Sequence, residues 1–226
     1  QYLQGRFYLN RFAEQPMRQA VGYFQRAVKL DPSFALAWAG LARANTWICE
    51  YSTDTVGGGF NAHLVSAREA VARALALEPN LQEALSAQAE IQVGVDFDWA
   101  GGAESLRRAR ELAPADPELL VQASYLARAQ GELAVSIDLL RQAVALDPVK
   151  PSAVGTLAFA LVISRQFPEA MDLYSRVQEL SPTSPFAYAG PSLTYLLEGK
   201  YDEALRVVQN ESAAWARVGF ACTDGR

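Results

Sequence analysis

The residue types that could support catalysis or bind a metal are few and scattered along this sequence. His63 is the only histidine, and it follows a triple glycine at residues 57–59. A metal site needs companion His, Cys or acidic ligands at suitable spacing, and no such set accompanies His63. The triple glycine lacks the Gly-Lys-Ser/Thr ending of a phosphate-binding loop. We therefore interpret His63 as a solvated histidine in a loop or at the start of a helix, beside a flexible connection.

The segment DFDW contains two carboxylates, Asp96 and Asp98, that could act as an acid–base pair. Asp98, however, directly precedes the helical pattern WAGGAESL, where a carboxylate can accept a backbone N–H of the first turn. We predict that Asp98 caps that helix and that Asp96 lies in the turn before it. Since the sequence also lacks a Gly-x-Ser-x-Gly motif, it indicates a protein that is not an enzyme and needs no cofactor or metal.

Composition narrows the possible partners. Of the 226 residues, 50% are hydrophobic and 20% charged, which is typical of a globular protein, and the net charge is −5. A negative chain without basic clusters is not expected to bind nucleic acid or an anionic membrane surface. No apolar run approaches the about 20 residues that span a bilayer. Cys49 and Cys222 are interpreted as buried thiols of a reducing compartment rather than a disulfide, which favours a cytoplasmic location.

The elements that position all these residues follow a repeat. Five similar segments end in proline, with spacings of 47, 35, 34 and 34 residues, at Pro32, Pro79, Pro114, Pro148 and Pro182. Within each segment the apolar and small residues recur at helical spacing, and the proline ends that helix. A second helix follows, and Pro117, Pro151 and Pro185 stand where a first helical turn tolerates a missing N–H. The unit is therefore helix, turn, helix and proline.

This period resembles the tetratricopeptide repeat, whose consensus contains W-x2-L-G-x2-Y. Trp38 and Leu41 match it, whereas Ala42 replaces the glycine and Asn45 the tyrosine. The resemblance implies an all-α protein, an α-α superhelix (a tetratricopeptide solenoid) of about six helix pairs plus one terminal helix. The expected units are approximately 1–32, 33–79, 80–114, 115–148, 149–182 and 183–211, with a partial unit at 212–226.

Two segments depart from the pattern. The second unit has 13 residues beyond the consensus spacing, and we expect residues 52–61 to form a mobile excursion or the loose tip of an extended helix pair. Pro191 falls inside the first helix of the sixth unit, where we expect it to bend or break the helix. The tail NESAAWARVGFACTDGR is expected to form the first helix of a seventh unit, so the chain is interpreted as a piece of a longer protein.

A narrower resemblance concerns QYLQGRFYLNRF, the long second unit and DFDWAGGAESLRRARELAP. These segments look like the repeat region of bacterial multidomain regulators that carry an adenylate or guanylate cyclase domain or a winged-helix domain. Neither activity is implied, because no residues of those domains are present.

In the tetratricopeptide family, the first helices of successive units line a concave groove. The resemblance implies that eight residues of this chain face it: Arg43, Trp47, Glu90, Tyr125, Arg128, Phe159, Val162 and Phe186. We expect the N-terminal half of the groove to be mixed in charge and the C-terminal half to be apolar. The Lys/Asn/Lys/Arg clamp for C-terminal carboxylates is absent, which disfavours that ligand.

The function expected from this resemblance is a protein–protein interaction scaffold that binds a peptide or a partner domain in the groove, as part of a bacterial regulator. The alternative is a self-association module that brings attached catalytic or DNA-binding domains together, so a homo-oligomer is possible. Neither hypothesis requires this segment to bind nucleic acid or to insert into a membrane.

Overall fold

The structure is a computed structural model that describes residues 1–11, 14–51, 59–182 and 184–217. Within those ranges it contains twelve helices and no strand. The helices are α1 (Tyr2–Leu9), α2 (Glu14–Leu30), α3 (Ala35–Tyr51), α4 (Gly59–Leu77), α5 (Gln82–Gly94), α6 (Trp99–Leu112), α7 (Pro117–Ala129), α8 (Leu133–Leu146), α9 (Pro151–Ile163), α10 (Phe167–Leu180), α11 (Pro185–Leu197) and α12 (Tyr201–Arg217). The prediction of an all-α chain built from about six helix pairs is confirmed.

The helices form two compact units, residues 1–146 with α1–α8 and residues 147–226 with α9–α12. In the first unit, each odd-numbered helix packs against the even-numbered helix that follows it. The first helices of successive pairs also pack on each other, α3 on α5 and α5 on α7. In the second unit α9 pairs with α10 and α11 with α12, while α9 also contacts α11. Side chains on the first helices of neighbouring pairs are therefore brought close together.

The turn that joins two helices of a pair has a left-handed residue at a fixed place. Positive φ angles occur at Phe97 (55°), Gly131 (83°), Arg165 (60°) and Gly199 (77°), which are spaced 34 residues apart. After Gly131, the N–H of Glu132 donates to the Ala127 carbonyl at 2.8 Å, a bond that closes the end of α7. The 34-residue period is therefore present in the backbone conformation, although only two of the four positions are glycine.

Helix starts and repeat ends agree with the sequence pattern. Pro117, Pro151 and Pro185 lie in the first turns of α7, α9 and α11. The Asp98 side chain accepts a hydrogen bond from the Gly101 N–H at 2.9 Å, which confirms it as the cap of α6. Asp96 forms an ion pair with Arg68 of α4.

An arginine of the next helix pair fixes the proline that ends a repeat. The Nη2 atom of Arg108 donates to the Pro79 carbonyl at 3.1 Å. In the second unit, Arg176 makes the equivalent bond to the Pro148 carbonyl. Each bond links the end of one repeat to the second helix of the following one.

Small residues allow large rings to fill the space between helices. Phe24 is fully buried, and a β-carbon at Gly5 or Gly40 would lie 2.7 or 2.5 Å from its ring. In the second unit, a β-carbon at Gly190 would overlap the ring of the buried Tyr174. Because cores are close-packed, glycine at these positions sets the distance between neighbouring helices.

Two expectations need correction. Helix α11 runs through Pro191 without a break, so the expected interruption is wrong. Helix α12 continues from Tyr201 to Arg217, across the expected boundary between residues 211 and 212. Residues 218–226 of the expected terminal helix lie outside the described residues.

The long second unit contains longer helices. Helices α3 and α4 have 17 and 19 residues, compared with 13 in α5 and 14 in α6. Since α4 begins at Gly59, residues 59–61 of the expected excursion are helical. This agrees with an extended helix pair, whose tip, residues 52–58, lies outside the described residues.

Candidate partner-binding surface

Five of the eight predicted groove residues lie on the first helices of the first unit. Arg43 and Trp47 belong to α3, Glu90 to α5, and Tyr125 and Arg128 to α7. Because α5 packs against both α3 and α7, these helices form one surface, which we call the α3/α5/α7 face. The other three predicted residues, on α9 and α11, belong to the second unit.

An ion pair links α3 to α7 on this face. The Arg43 guanidinium contacts the Glu118 carboxylate, and the two side chains are 30% and 10% exposed. Burial alone would lower the pKa of Arg43, but the charges of Glu118 and Glu90, together with the hydrogen bond to Glu118, raise it overall. Arg43 therefore remains a cation, and the face carries fixed charges of both signs.

A second polar contact connects α5 to α7 below the surface. The hydroxyl of Ser86 donates to Oε1 of Gln122 at 3.0 Å, and both side chains are buried. Nε2 of Gln122 is also buried and finds no hydrogen-bond partner among the described residues. Such a buried donor costs about 1–3 kcal/mol when it is left without an acceptor.

Tyr125 and Arg128 form an exposed edge of the face. The guanidinium carbon of Arg128 lies 5.0 Å from the centre of the Tyr125 ring, which is a cation–π contact. Trp47 is only 9% exposed, so its indole packs mainly in the core of the first unit rather than presenting its surface to a partner.

A cavity of about 760 Å³ opens beside this edge, where α5 ends and α6 begins. Glu90, Gln122, Tyr125 and Arg128 contribute its polar and aromatic wall. The apolar part of the lining includes Cys49, Phe60, Val93, Phe97, Trp99 and Leu106. The cavity thus combines a large apolar surface with a few polar groups.

The second unit presents the predicted apolar residues unevenly. Val162 is 1% exposed and thus offers almost no surface to a partner. Phe186 is half-buried and packs on Gly155, where a β-carbon would lie 2.5 Å from its ring. Phe159 is partly exposed. The expected convergence of these residues with Tyr125 stays a prediction.

His63 is better explained by structure than by chemistry. It lies in the first turns of α4, as one interpretation expects, but its Nδ1 is 2.6 Å from Oδ1 of Asn45 rather than solvated. The Asn45 Nδ2 atom donates to the Leu41 carbonyl at 2.8 Å, which leaves Oδ1 as the acceptor for His63. The histidine therefore joins α3 to α4.

Sequence reasoning missed Gln122, Phe97 and Trp99. A glutamine between Val121 and Ala123, inside an apolar helix pattern, is the one signal that pointed to a buried amide. The contribution of Phe97 and Trp99 depends on how the α5–α6 turn is folded, and no pattern in the sequence specifies that. Over the described ranges, no group of three or more His, Cys, Asp or Glu residues could hold a metal, and no helix could cross a membrane.

Comparison with known proteins places the fold. No family model matches the chain, and no curated protein matches it either. Among solved structures, the human IFIT1 dimer with m7Gppp-AAAA has a TM-score of 0.70, at 17% identity over 88% of this chain. PilW, a type IV pilus biogenesis factor, has a TM-score of 0.59, at 18% identity over 92% of this chain and 89% of its own. PilF of Pseudomonas aeruginosa has a TM-score of 0.55, at 17% identity over 94% of this chain and 89% of its own.

The fold is an α-α superhelix of tetratricopeptide type. The chain covers 46% of the IFIT1 chain, about half its length. At these identities the similarity establishes the tetratricopeptide-type fold and nothing about ligands.

Proposed function

We propose that this protein is a non-enzymatic interaction scaffold that binds a peptide or a partner domain on the α3/α5/α7 face. The observation that supports the proposal is the combination of fixed charges and an apolar cavity on that one face. Interfaces obtain most of their affinity from a few buried aromatic and arginine anchors, and Tyr125 and Arg128 are residues of that kind. The ion pair of Arg43 with Glu118 holds α3 and α7 in place beneath a partner.

A protein partner fits this face better than nucleic acid does. Arg43 and Arg128 are matched by Glu90 and Glu118, and the chain as a whole has a net charge of −5. Phosphate backbones require clustered positive charge. Although IFIT1 was solved with m7Gppp-AAAA, the charge balance of this chain favours a polypeptide of mixed charge.

The biological setting is part of the proposal. We propose that the scaffold is the docking region of a larger bacterial regulator located in the cytoplasm, on the basis of the narrower resemblance described above. In such a protein the face would recruit a partner to an attached domain.

Site-specific photo-crosslinking tests the binding face. A photoreactive amino acid replaces Arg128 in one sample and, as a matched control, the exposed Arg107 of α6 in another, and each sample is incubated with extract of the source cells. We expect a defined polypeptide to be crosslinked at position 128 but not at 107, and to be lost in the Tyr125→Ala protein at matched folded concentration. Equal crosslinking at both positions would contradict the proposal. The same assay on Phe159→Ala and Glu83→Ala tests whether the second unit contributes an anchor.

Self-association is the second candidate, and exposed apolar residues of the second unit favour it. Leu196, Leu197, Tyr201 and Leu205 are 49%, 47%, 69% and 57% exposed. Burial of such residues against another copy would be favourable, since apolar burial contributes about 25 cal/mol per Å². Sedimentation equilibrium is the test, and a monomer at micromolar concentration would exclude self-association as the main role.

A further inference from the structure

The cavity beside α5 and α7 contains an unused hydrogen-bond donor. Gln122 is only 4% exposed, and the Ser86 hydroxyl fixes the orientation of its amide through Oε1. This leaves Nε2 without an acceptor among the described residues, although Gln122 lines the cavity. Buried polar groups in folded proteins are nearly always paired, so an unpaired donor at a cavity wall requires an explanation.

The size and lining of the cavity match those of small-molecule sites. Such sites usually have volumes of about 300–1,000 Å³, mostly apolar walls and a few polar groups. This cavity, with about 760 Å³, has Val93 and Leu106 in its wall and two exposed aromatic residues, Phe97 and Trp99. These walls suit a ligand with an aromatic or aliphatic body.

The backbone at Phe97 supports a role for the exposed aromatic wall. Phe97 has a φ of 55° and is 72% exposed. The left-handed conformation costs a non-glycine residue energy, and such strain is concentrated at functional sites. At the equivalent places of two other repeats the chain uses Gly131 and Gly199 instead, which have no side chain to offer.

The charges around the cavity restrict the ligand further. Glu90 and Arg128 are the two charged side chains in its lining, and they have opposite signs. A ligand with a net charge would meet attraction and repulsion of similar size, whereas a neutral ligand avoids the cost of removing a charge from water. The ligand also needs an acceptor that Nε2 of Gln122 can reach.

We propose that the cavity binds a neutral small molecule that has an aromatic or aliphatic body and a carbonyl group. The body lies against Val93, Trp99 and Leu106, and the carbonyl oxygen accepts a hydrogen bond from Nε2 of Gln122. This activity goes beyond the scaffold function, because a ligand held at the junction of α5, α6 and α7 lies next to Tyr125 and Arg128. Binding of the small molecule would therefore change the surface that a protein partner contacts.

A matched pair of probes tests the proposal on the full chain. 2-Acetylnaphthalene has the aromatic body and the carbonyl, while 2-ethylnaphthalene has the same body without an acceptor. Titrations followed by ¹H–¹⁵N NMR report on the side-chain amide of Gln122 and the indole of Trp99. We expect 2-acetylnaphthalene to bind about tenfold more tightly, as the gain of one buried hydrogen bond predicts, and to shift the Gln122 side-chain resonances.

Two variants make the result decisive. Gln122→Leu removes the donor from the buried wall and should make the two probes bind equally, while Gln130→Leu, a matched change at the exposed end of α7, should leave the tenfold difference intact. Equal binding of both probes to the unmodified chain, or no shift of the Gln122 amide, would overturn the inference. Because crosslinking at position 128 is measured without either probe, failure here would not affect the proposed scaffold function.

Discussion

Gln178 of α10 donates a hydrogen bond from Nε2 to the backbone carbonyl of Ala187 in α11, over a distance of 2.6 Å. Ala187 is four residues before Pro191, whose nitrogen has no hydrogen to donate to that carbonyl. Because Ala187 is fully buried, water is not available to replace the missing bond. A side chain of the neighbouring helix therefore supplies the bond that the proline removes, and α11 continues through Pro191.

Loss of this side chain should destabilise the protein. We expect Gln178→Ala to lower the free energy of unfolding by about 1–3 kcal/mol, because a buried carbonyl loses its donor. Urea denaturation followed by circular dichroism measures the change, and Glu179→Ala, an exposed neighbour on α10, is the control. In a Pro191→Ala background, where the backbone N–H returns, the cost of Gln178→Ala should become smaller. An unchanged cost in that background would show that Pro191 does not create the need for Gln178.

Leu140 tests the packing of α8. It is fully buried, so Leu140→Ala should lower the free energy of unfolding by about 2–5 kcal/mol through lost burial and a new cavity. Leu146 of the same helix is 52% exposed, and Leu146→Ala should cost only about 0.5 kcal/mol. The two losses are compared by guanidinium denaturation, and similar values would contradict the helical register described here.

The left-handed turn residues lead to a prediction with a gain. Arg165 has a φ of 60°, whereas the equivalent positions in two other repeats are glycine. Arg165→Gly should raise the free energy of unfolding by up to about 1 kcal/mol, because glycine adopts this conformation without steric strain. Gly131→Ala, the converse change, should lower it by a similar amount. Thermal melts of both variants provide the measurement, and a shift of the two in the same direction would count against the explanation.

The single histidine should make stability depend on pH in a narrow window. Burial lowers the pKa of His63, and the positive charge of Arg18 lowers it further. The unfolded chain therefore binds the proton more readily, and the free energy of unfolding falls as pH decreases below the ordinary histidine value of about 6.5. Above that value the contribution is fully present and constant.

Urea titrations at several pH values between 7.5 and 5.5 measure this dependence. His63→Gln should remove it, since His63 is the only histidine in the sequence. The difference in unfolding free energy between the unmodified chain and the variant should shrink as the pH falls. A difference that grows in that direction would mean that the folded state raises the pKa of His63 instead.

Much of the fold could be predicted because it depends on local patterns. The closing prolines, the first-turn prolines such as Pro117 and Pro151, and the cap Asp98 act within a few residues of where they stand. The continuity of α11 could not be predicted, because Pro191 is compensated by Gln178, which belongs to another helix. A local rule gave the wrong result there since the compensating atom is distant in the sequence.

The candidate site was less predictable than the fold for the same reason. Family positions placed Glu90, Tyr125 and Arg128 on one face, and these three do line a common cavity. The same positions also selected Trp47 and Val162, whose burial depends on how neighbouring helices pack. The unpaired amide of Gln122 is defined only by the three-dimensional arrangement of α5 and α7.

The extra length of the second helix pair shows how this chain can change size without losing its core. Relative to α5 and α6, α3 is four residues longer and α4 five residues longer. Both increments are close to the about 3.6 residues of one helical turn, so each helix returns to nearly the same orientation after the addition. The buried faces near Phe24 and Ala74 are then undisturbed, because growth occurs at the far end of the pair. Length in this fold is therefore added in steps of a turn, and such steps allow one pair to extend beyond its neighbours and form a side wall of the cavity through Cys49 and Phe60.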